Sequence, residues 1–167
     1  MTMNNTRLIR PLVLIAAIAG LLAMPLTIMA DENMPWGSSE LADKTYEPQR
    51  VVYDIAVPDA EALEGVLDRI SFLNNVYEAD PFDSHIVAVL HGDEIPLFTG
   101  DKLEENRDLM ERVHSLTQSG NIEFRMCAAA AHSHGVEPED VHGFVQVVPM
   151  ADGEIIQLQQ EGYAYMQ

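Results

Sequence analysis

Five consecutive apolar residues, Ile86-Val87-Ala88-Val89-Leu90, lie between the turn residues Asp80-Pro81 and the pair His91-Gly92. Successive side chains of a strand point to opposite faces, so a strand that is apolar at every position is covered on both sides. That condition is met in parallel sheets, whose right-handed crossovers carry helices over the faces. The flanking sequence supplies the other elements. Val51 to Val57 is rich in β-branched residues and stops at Pro58, as a first strand does. Asp59 is placed to cap a helix whose apolar residues Leu63, Val66, Leu67, Ile70 and Leu73 recur at spacings of three and four. Leu103, Met110, Val113 and Leu116 mark a second helix that ends at Gly120. Strands are expected at Ile122 to Met126 and Phe144 to Val148. A long helix follows from Ala151 to Glu161, and a short last strand from Tyr163 to Tyr165. This alternation defines an α/β fold with a mostly parallel sheet of about five strands between helical layers.

The first 30 residues follow a different pattern. Met1 to Arg10 has no acid and carries Arg7 and Arg10, Pro11 to Ala23 is apolar or small, and Pro25 precedes Ile28-Met29-Ala30. This is the pattern of a signal peptide cleaved after Ala30, which exports the remainder to the periplasm and leaves no stable membrane insertion. An uncleaved anchor is the alternative reading of the same apolar segment. All 27 acids follow Ala30 and two of the nine bases precede it, so cleavage takes the formal charge from −18 to −20. Such a surface repels nucleic-acid phosphates, and a nucleic-acid partner is excluded on that ground. Residues 31–49 are acidic, hold Pro35, Gly37 and Pro48, and lack apolar periodicity, as expected of a flexible tether ahead of a domain at 50–167.

One cysteine, Cys127, can form neither an intrachain disulfide nor a four-thiolate zinc site. It lies at the carboxyl end of the third expected strand, where open parallel sheets collect their ligands. By parity its side chain shares a side with Glu123 and Arg125, which argues against full burial. The run Ala128 to Ala131 begins a helical turn whose free N–H groups favour thiolate, with Arg125 a second source of positive charge. His132, His134 and His142 stand close by in sequence. With Cys127 they offer borderline and soft donors for zinc or copper, although C-x4-H-x-H matches no established ligand frame. The sequence has no phosphate-binding loop, dinucleotide fingerprint, hydrolase elbow or H-E-x-x-H, and no resident cofactor is expected.

Val51-Val52-Tyr53, Val87-Ala88-Val89-Leu90-His91-Gly92, Ile122 through Cys127, and Val147-Val148-Pro149 with Ile155 through Tyr165 together resemble the DsrE/DsrF-like family. The resemblance runs from about Arg50 to Gln167. It implies a three-layer α/β/α sandwich, assembly into homo-oligomers that are trimers or hexamers, and a sulfur-relay role in which Cys127 carries a persulfide passed between a donor and an acceptor protein. In that role Cys127 is the catalytic residue, and Arg125, His132, His134 and His142 are candidate supporting groups. Two other readings stay open: an oligomeric periplasmic binding or scaffold module with an inert cysteine, and a metal-binding protein using the His132/His134/His142 loop.

Overall fold

The computed structural model describes residue 34 and residues 36–167. The expected signal peptide, residues 1–30, and the start of the tether lie outside the described residues. Met34 and residues 36–43 carry no helix or strand and belong to a unit separate from Lys44–Gln167. The second unit contains β1 (Arg50–Ile55), α1 (Ala60–Val76), β2 (His85–Leu90), α2 (Arg107–Thr117), β3 (Ile122–Cys127), α3 (Ala128–Ser133), β4 (Val145–Val148), α4 (Ala151–Gln160) and β5 (Ala164–Met166). Its five strands form one sheet in the order β4-β3-β2-β1-β5, and every neighbouring pair is parallel.

β2 has the central place that its composition demands, and Ile86 to Leu90 are all 0% exposed. Alternate residues of the strands build two cores. On one face Val51, Tyr53, Ile55, Ile86, Ala88, Leu90, Ile122, Phe124 and Met126 pack with Leu63, Leu67 and Ile70 of α1 and Met110 and Val113 of α2. On the other, Val52, Val87, Val89 and Cys127 pack with Ala151, Ile155 and Leu158 of α4 and with Tyr163. These are the three layers of an α/β/α sandwich. Burying each large aliphatic side chain in such a core contributes about 1.5–3 kcal/mol, which is why α1 folds despite five acidic or amide side chains along its length.

Local signals hold the element ends. The Asp59 carboxylate accepts the Ala62 N–H at 2.9 Å and caps α1. Gly120 and Gly162, at φ +80° and +95°, turn the chain out of α2 and α4 in a conformation that costs other residues a Cβ clash. Several boundaries differ from the periodicity, β1 ending at Ile55 rather than Val57 among them. Leu103 lies before α2, because the Pro96-containing segment forms short 3-10 turns at Ile95–Phe98 and Gly100–Lys102 and the helix starts only after Asn106. Tyr163 precedes β5 and is buried under α4, whereas Tyr165 in the strand is 42% exposed. The chain order reverses between β1 and β5. α1 leaves β1 over one face of the sheet, and α4 crosses the other face on its way from β4 to β5.

Candidate functional site

Cys127 ends β3 and is the N-cap of α3, its Sγ accepting the Ala130 N–H at 3.4 Å. The parity reading places it on the correct face but not in the correct environment. That face is roofed by α4, and the thiol is 5% exposed among Val87, Val89, Ala151 and Ile155. Partial exposure was expected from its charged neighbours Glu123 and Arg125, yet those two lie further down the sheet, where the roof is polar.

Arg125 does not serve the sulfur. Its Nε and Nη2 donate to Glu123 at 3.1 and 2.6 Å and its Nη1 donates to Glu154 of α4, so both edges of the guanidinium are engaged by carboxylates. Burial works to lower the pKa of Arg125, but the two carboxylates outweigh it and hold the guanidinium more firmly charged. Burial likewise works against ionisation of Glu123, and the hydrogen bonds from Arg125 and His85 overcome it and bring its carboxyl below the ordinary range. The chain continues through His85, whose Nε2 lies 3.1 Å from Glu123 and whose Nδ1 lies 2.5 Å from the Tyr163 hydroxyl. With Glu123 ionised, His85 donates from Nε2, and its Nδ1 accepts a hydrogen bond from the Tyr163 hydroxyl. This network joins β2, β3 and α4 and fixes the roof over Cys127.

The three histidines of the expected loop are not brought together. His132 points outward, with 81% of its side chain exposed, and its Nδ1 is 3.4 Å from Glu137. His134 lies 3.9 Å from Asp93. His142 stacks on Phe144 with ring centroids 5.6 Å apart, and its Nε2 is buried without a hydrogen-bond partner. Among the described residues no three His, Cys, Asp or Glu side chains converge as a metal site requires, so the His132/His134/His142 metal loop is not formed. The cause is α3. Once Ala128 to Ser133 is helical, His132 and His134 diverge, and His142 returns only after a further 3-10 turn at Pro138–Asp140.

A different polar group occupies the carboxyl edge. Asp54, on the α4 face of β1, accepts from His91 Nε2 at 2.5 Å and from the Tyr165 hydroxyl of β5. Burial works to raise the Asp54 pKa, and these two donors outweigh it and hold the carboxyl below its ordinary range. Asp54 and His91 also line a crevice of about 220 Å³ at the β1 edge with Tyr53, Val66 and Arg69. Arg69 lies over the Tyr53 ring at 5.5 Å and donates to the Gln167 carbonyl at 3.0 Å. Beneath, the 0%-exposed carboxylate of Glu94 accepts the N–H groups of Gly92 and Val57, both at 2.9 Å, and ties the ends of β2 and β1 together. In the sequence His91 stands only as the residue that closes the apolar run of the second strand, and Asp54 and Tyr165 are ordinary strand positions. The available signal was a carboxylate interrupting the apolar run of β1, with a histidine directly following the apolar run of β2.

These features define a parallel α/β/α sandwich with a single cysteine capping a helical turn at the carboxyl edge of an inner strand. The profile of the DsrE/DsrF-like family matches residues 67–167, and the chain belongs to that family. It is similar in fold to a solved protein described as of unknown function, MTH1491 from Methanobacterium thermoautotrophicum. The two are 24% identical, with a TM-score of 0.59 over 71% of this chain and 97% of that one. No curated protein sequence matches. No helix among the described residues is long and apolar enough to cross a membrane.

Proposed function

We propose that this protein is an exported sulfur carrier that holds a single sulfane sulfur on Cys127. The observation that carries the reading is the position of Sγ at the carboxyl end of β3, where it accepts the Ala130 N–H; membership of a family often linked to sulfur relay supports it. An N–H aimed at sulfur favours the anion, which is the nucleophile in thiol exchange. In the loading step the Cys127 thiolate attacks the outer sulfur of a donor persulfide. The Sγ–S bond forms, the donor's S–S bond breaks, and the donor leaves as a thiolate, with no net oxidation. Unloading is the same exchange with an acceptor thiol. The basic, then apolar leader ending at Ala30 supports delivery to the periplasm, so donor and acceptor are periplasmic. Assembly into a trimer or hexamer is part of the proposal, supported by the exposed Tyr165 and Met166 on edge strand β5.

Incubation of the purified protein with a small persulfide, followed by intact-mass analysis, tests the reading. One added sulfur atom on the parent, removed by dithiothreitol and absent from Cys127→Ser, is expected. A parent protein that stays unmodified while native thiol counting shows Cys127 reduced would leave the scaffold with an inert cysteine as the function.

A further inference from the structure

The Tyr165–Asp54–His91 chain is not used by the sulfur exchange described above, yet the sheet order sets its histidine at the end of the strand next to the one that carries the cysteine. The last β2–β3 pair is Leu90 with Met126, so His91, the first residue after β2, and Cys127, the last of β3, each follow one member of that pair, on backbones that run about 4.8 Å apart within the sheet. Both side chains are on the α4 face. Cys127 packs with Val87 and Val89 there, and His91 reaches Asp54, which follows Val52 of the same core by two residues. His91 also keeps the ladder in step, its N–H bonding the Ile55 carbonyl at 3.0 Å.

We propose that His91 is the proton acceptor for the Cys127 thiol, with Asp54 and Tyr165 as positioning residues; this deepens the sulfur-carrier reading and rests on it for the identity of the incoming group. Asp54 holds His91 by Nε2, which fixes the ring and leaves Nδ1 as the nitrogen with no hydrogen-bond partner and not buried. In the step, the Sγ–H bond breaks and the proton passes to Nδ1. The electron pair stays on sulfur, where the Ala130 N–H meets it, and the imidazolium faces the Asp54 carboxylate. Nothing is oxidised, and the proton returns when the loaded sulfur leaves. The division of labour is that of a carboxylate orienting an imidazole beside a nucleophile.

The charged and titratable groups around this pair are few. Arg69 of α1 shares the crevice, Asp93 and the buried Glu94 lie in the loop after His91, and His134 faces Asp93. On β3 and α4, Arg125 is balanced by Glu123 and Glu154. Asp54 is the group among them that bonds His91 directly.

Alkylation of Cys127 by iodoacetamide, followed by intact mass from pH 5 to 9, provides the test, with far-ultraviolet circular dichroism checking the fold. His91→Gln keeps a side-chain donor for Asp54 but cannot take a proton. Its profile is expected to move to higher pH, with the rate at pH 7 falling at least threefold, and Tyr165→Phe is expected to move the profile part of the way. Histidine signals in nuclear magnetic resonance of the parent protein supply a second measurement that needs no variant of the pair. Capping Cys127 should shift the His91 titration and leave His132 unmoved. Superimposable profiles for parent and folded His91→Gln, or a His91 titration indifferent to capping, would overturn the proposal. If the profile depends on His91 but persulfide never loads, the sulfur reading fails and the proton pair stands. If persulfide loads with a profile independent of His91, the reverse holds.

Discussion

Gly92 is where the account of the carboxyl edge is most exposed to a single methyl group. A Cβ built there would stand 2.6 Å from Ala56 Cα, 2.8 Å from Ala56 C and 2.6 Å from Glu94 Oε2. Two of those atoms are backbone of the segment leaving β1 and cannot swing aside. The third belongs to a fully buried carboxylate held by the Gly92 and Val57 N–H groups. Overpacking against backbone costs about 1–3 kcal/mol, and losing one charge-assisted hydrogen bond from Glu94 adds about 1.5–3 kcal/mol. Gly92→Ala should therefore destabilise the domain by about 2.5–6 kcal/mol and lower its melting temperature by roughly 10–25 °C for a domain of this size. Urea unfolding followed by circular dichroism reads the change directly. Gly153→Ala is the matched control: Gly153 is an exposed position of helix α4 with nothing within 4 Å of its would-be Cβ. There the same methyl should stabilise by about 0.5–1 kcal/mol through helix propensity. A Gly92→Ala protein within about 0.5 kcal/mol of the parent would refute the view that close approach, clamped by Glu94, sets the ends of β1 and β2.

Three further outcomes are expected. Asp54 and Glu123 have folded-state pKa values below the ordinary range, so the stability they contribute is present above that range and lost as pH falls through the folded values. The urea midpoint should drop below about pH 4, less steeply in Tyr165→Phe, and a midpoint that holds or rises there would contradict the assignment. Asn121 is 0% exposed and donates to Asn74 at 2.6 Å and Ser84 at 3.1 Å, so Asn121→Ala should cost about 2–3 kcal/mol in the same titration by stranding those partners. Light scattering of the mature protein should give three or six times the chain mass, and Tyr165→Lys with Met166→Lys should reduce it; a monomer at micromolar concentration would remove the oligomer from the proposal.

The sheet was legible because its signals are local. The unbroken apolar run of β2 required cover on both faces, and Asp59, Gly120 and Gly162 marked helix ends with side-chain or backbone chemistry visible in one residue. Cys127 was found for the same reason, as the residue between a strand pattern and a run of helix formers. Its burial was not legible, since it depends on α4, an element more than twenty residues later, packing over the face that parity alone marked as charged. Arg125 shows the same limit: its partner Glu154 is 29 residues away, and without the crossover nothing indicates that the guanidinium is already engaged. The His132, His134 and His142 cluster was proximity in sequence, which α3 undoes. The Tyr165–Asp54–His91 chain joins β5, β1 and the residue that follows β2 across up to 111 residues, and only the β5-β1-β2 order brings it together.

Intact-mass spectrometry of the protein isolated from the periplasmic fraction of its own cells, without reductant, tests the central claim most directly. The account predicts a chain beginning at Asp31 with a fraction carrying one extra sulfur that dithiothreitol removes, mapped to Cys127. A chain recovered there with unmodified Cys127 under conditions of active sulfur metabolism, and equally unmodified after exposure to a persulfide donor, would contradict it.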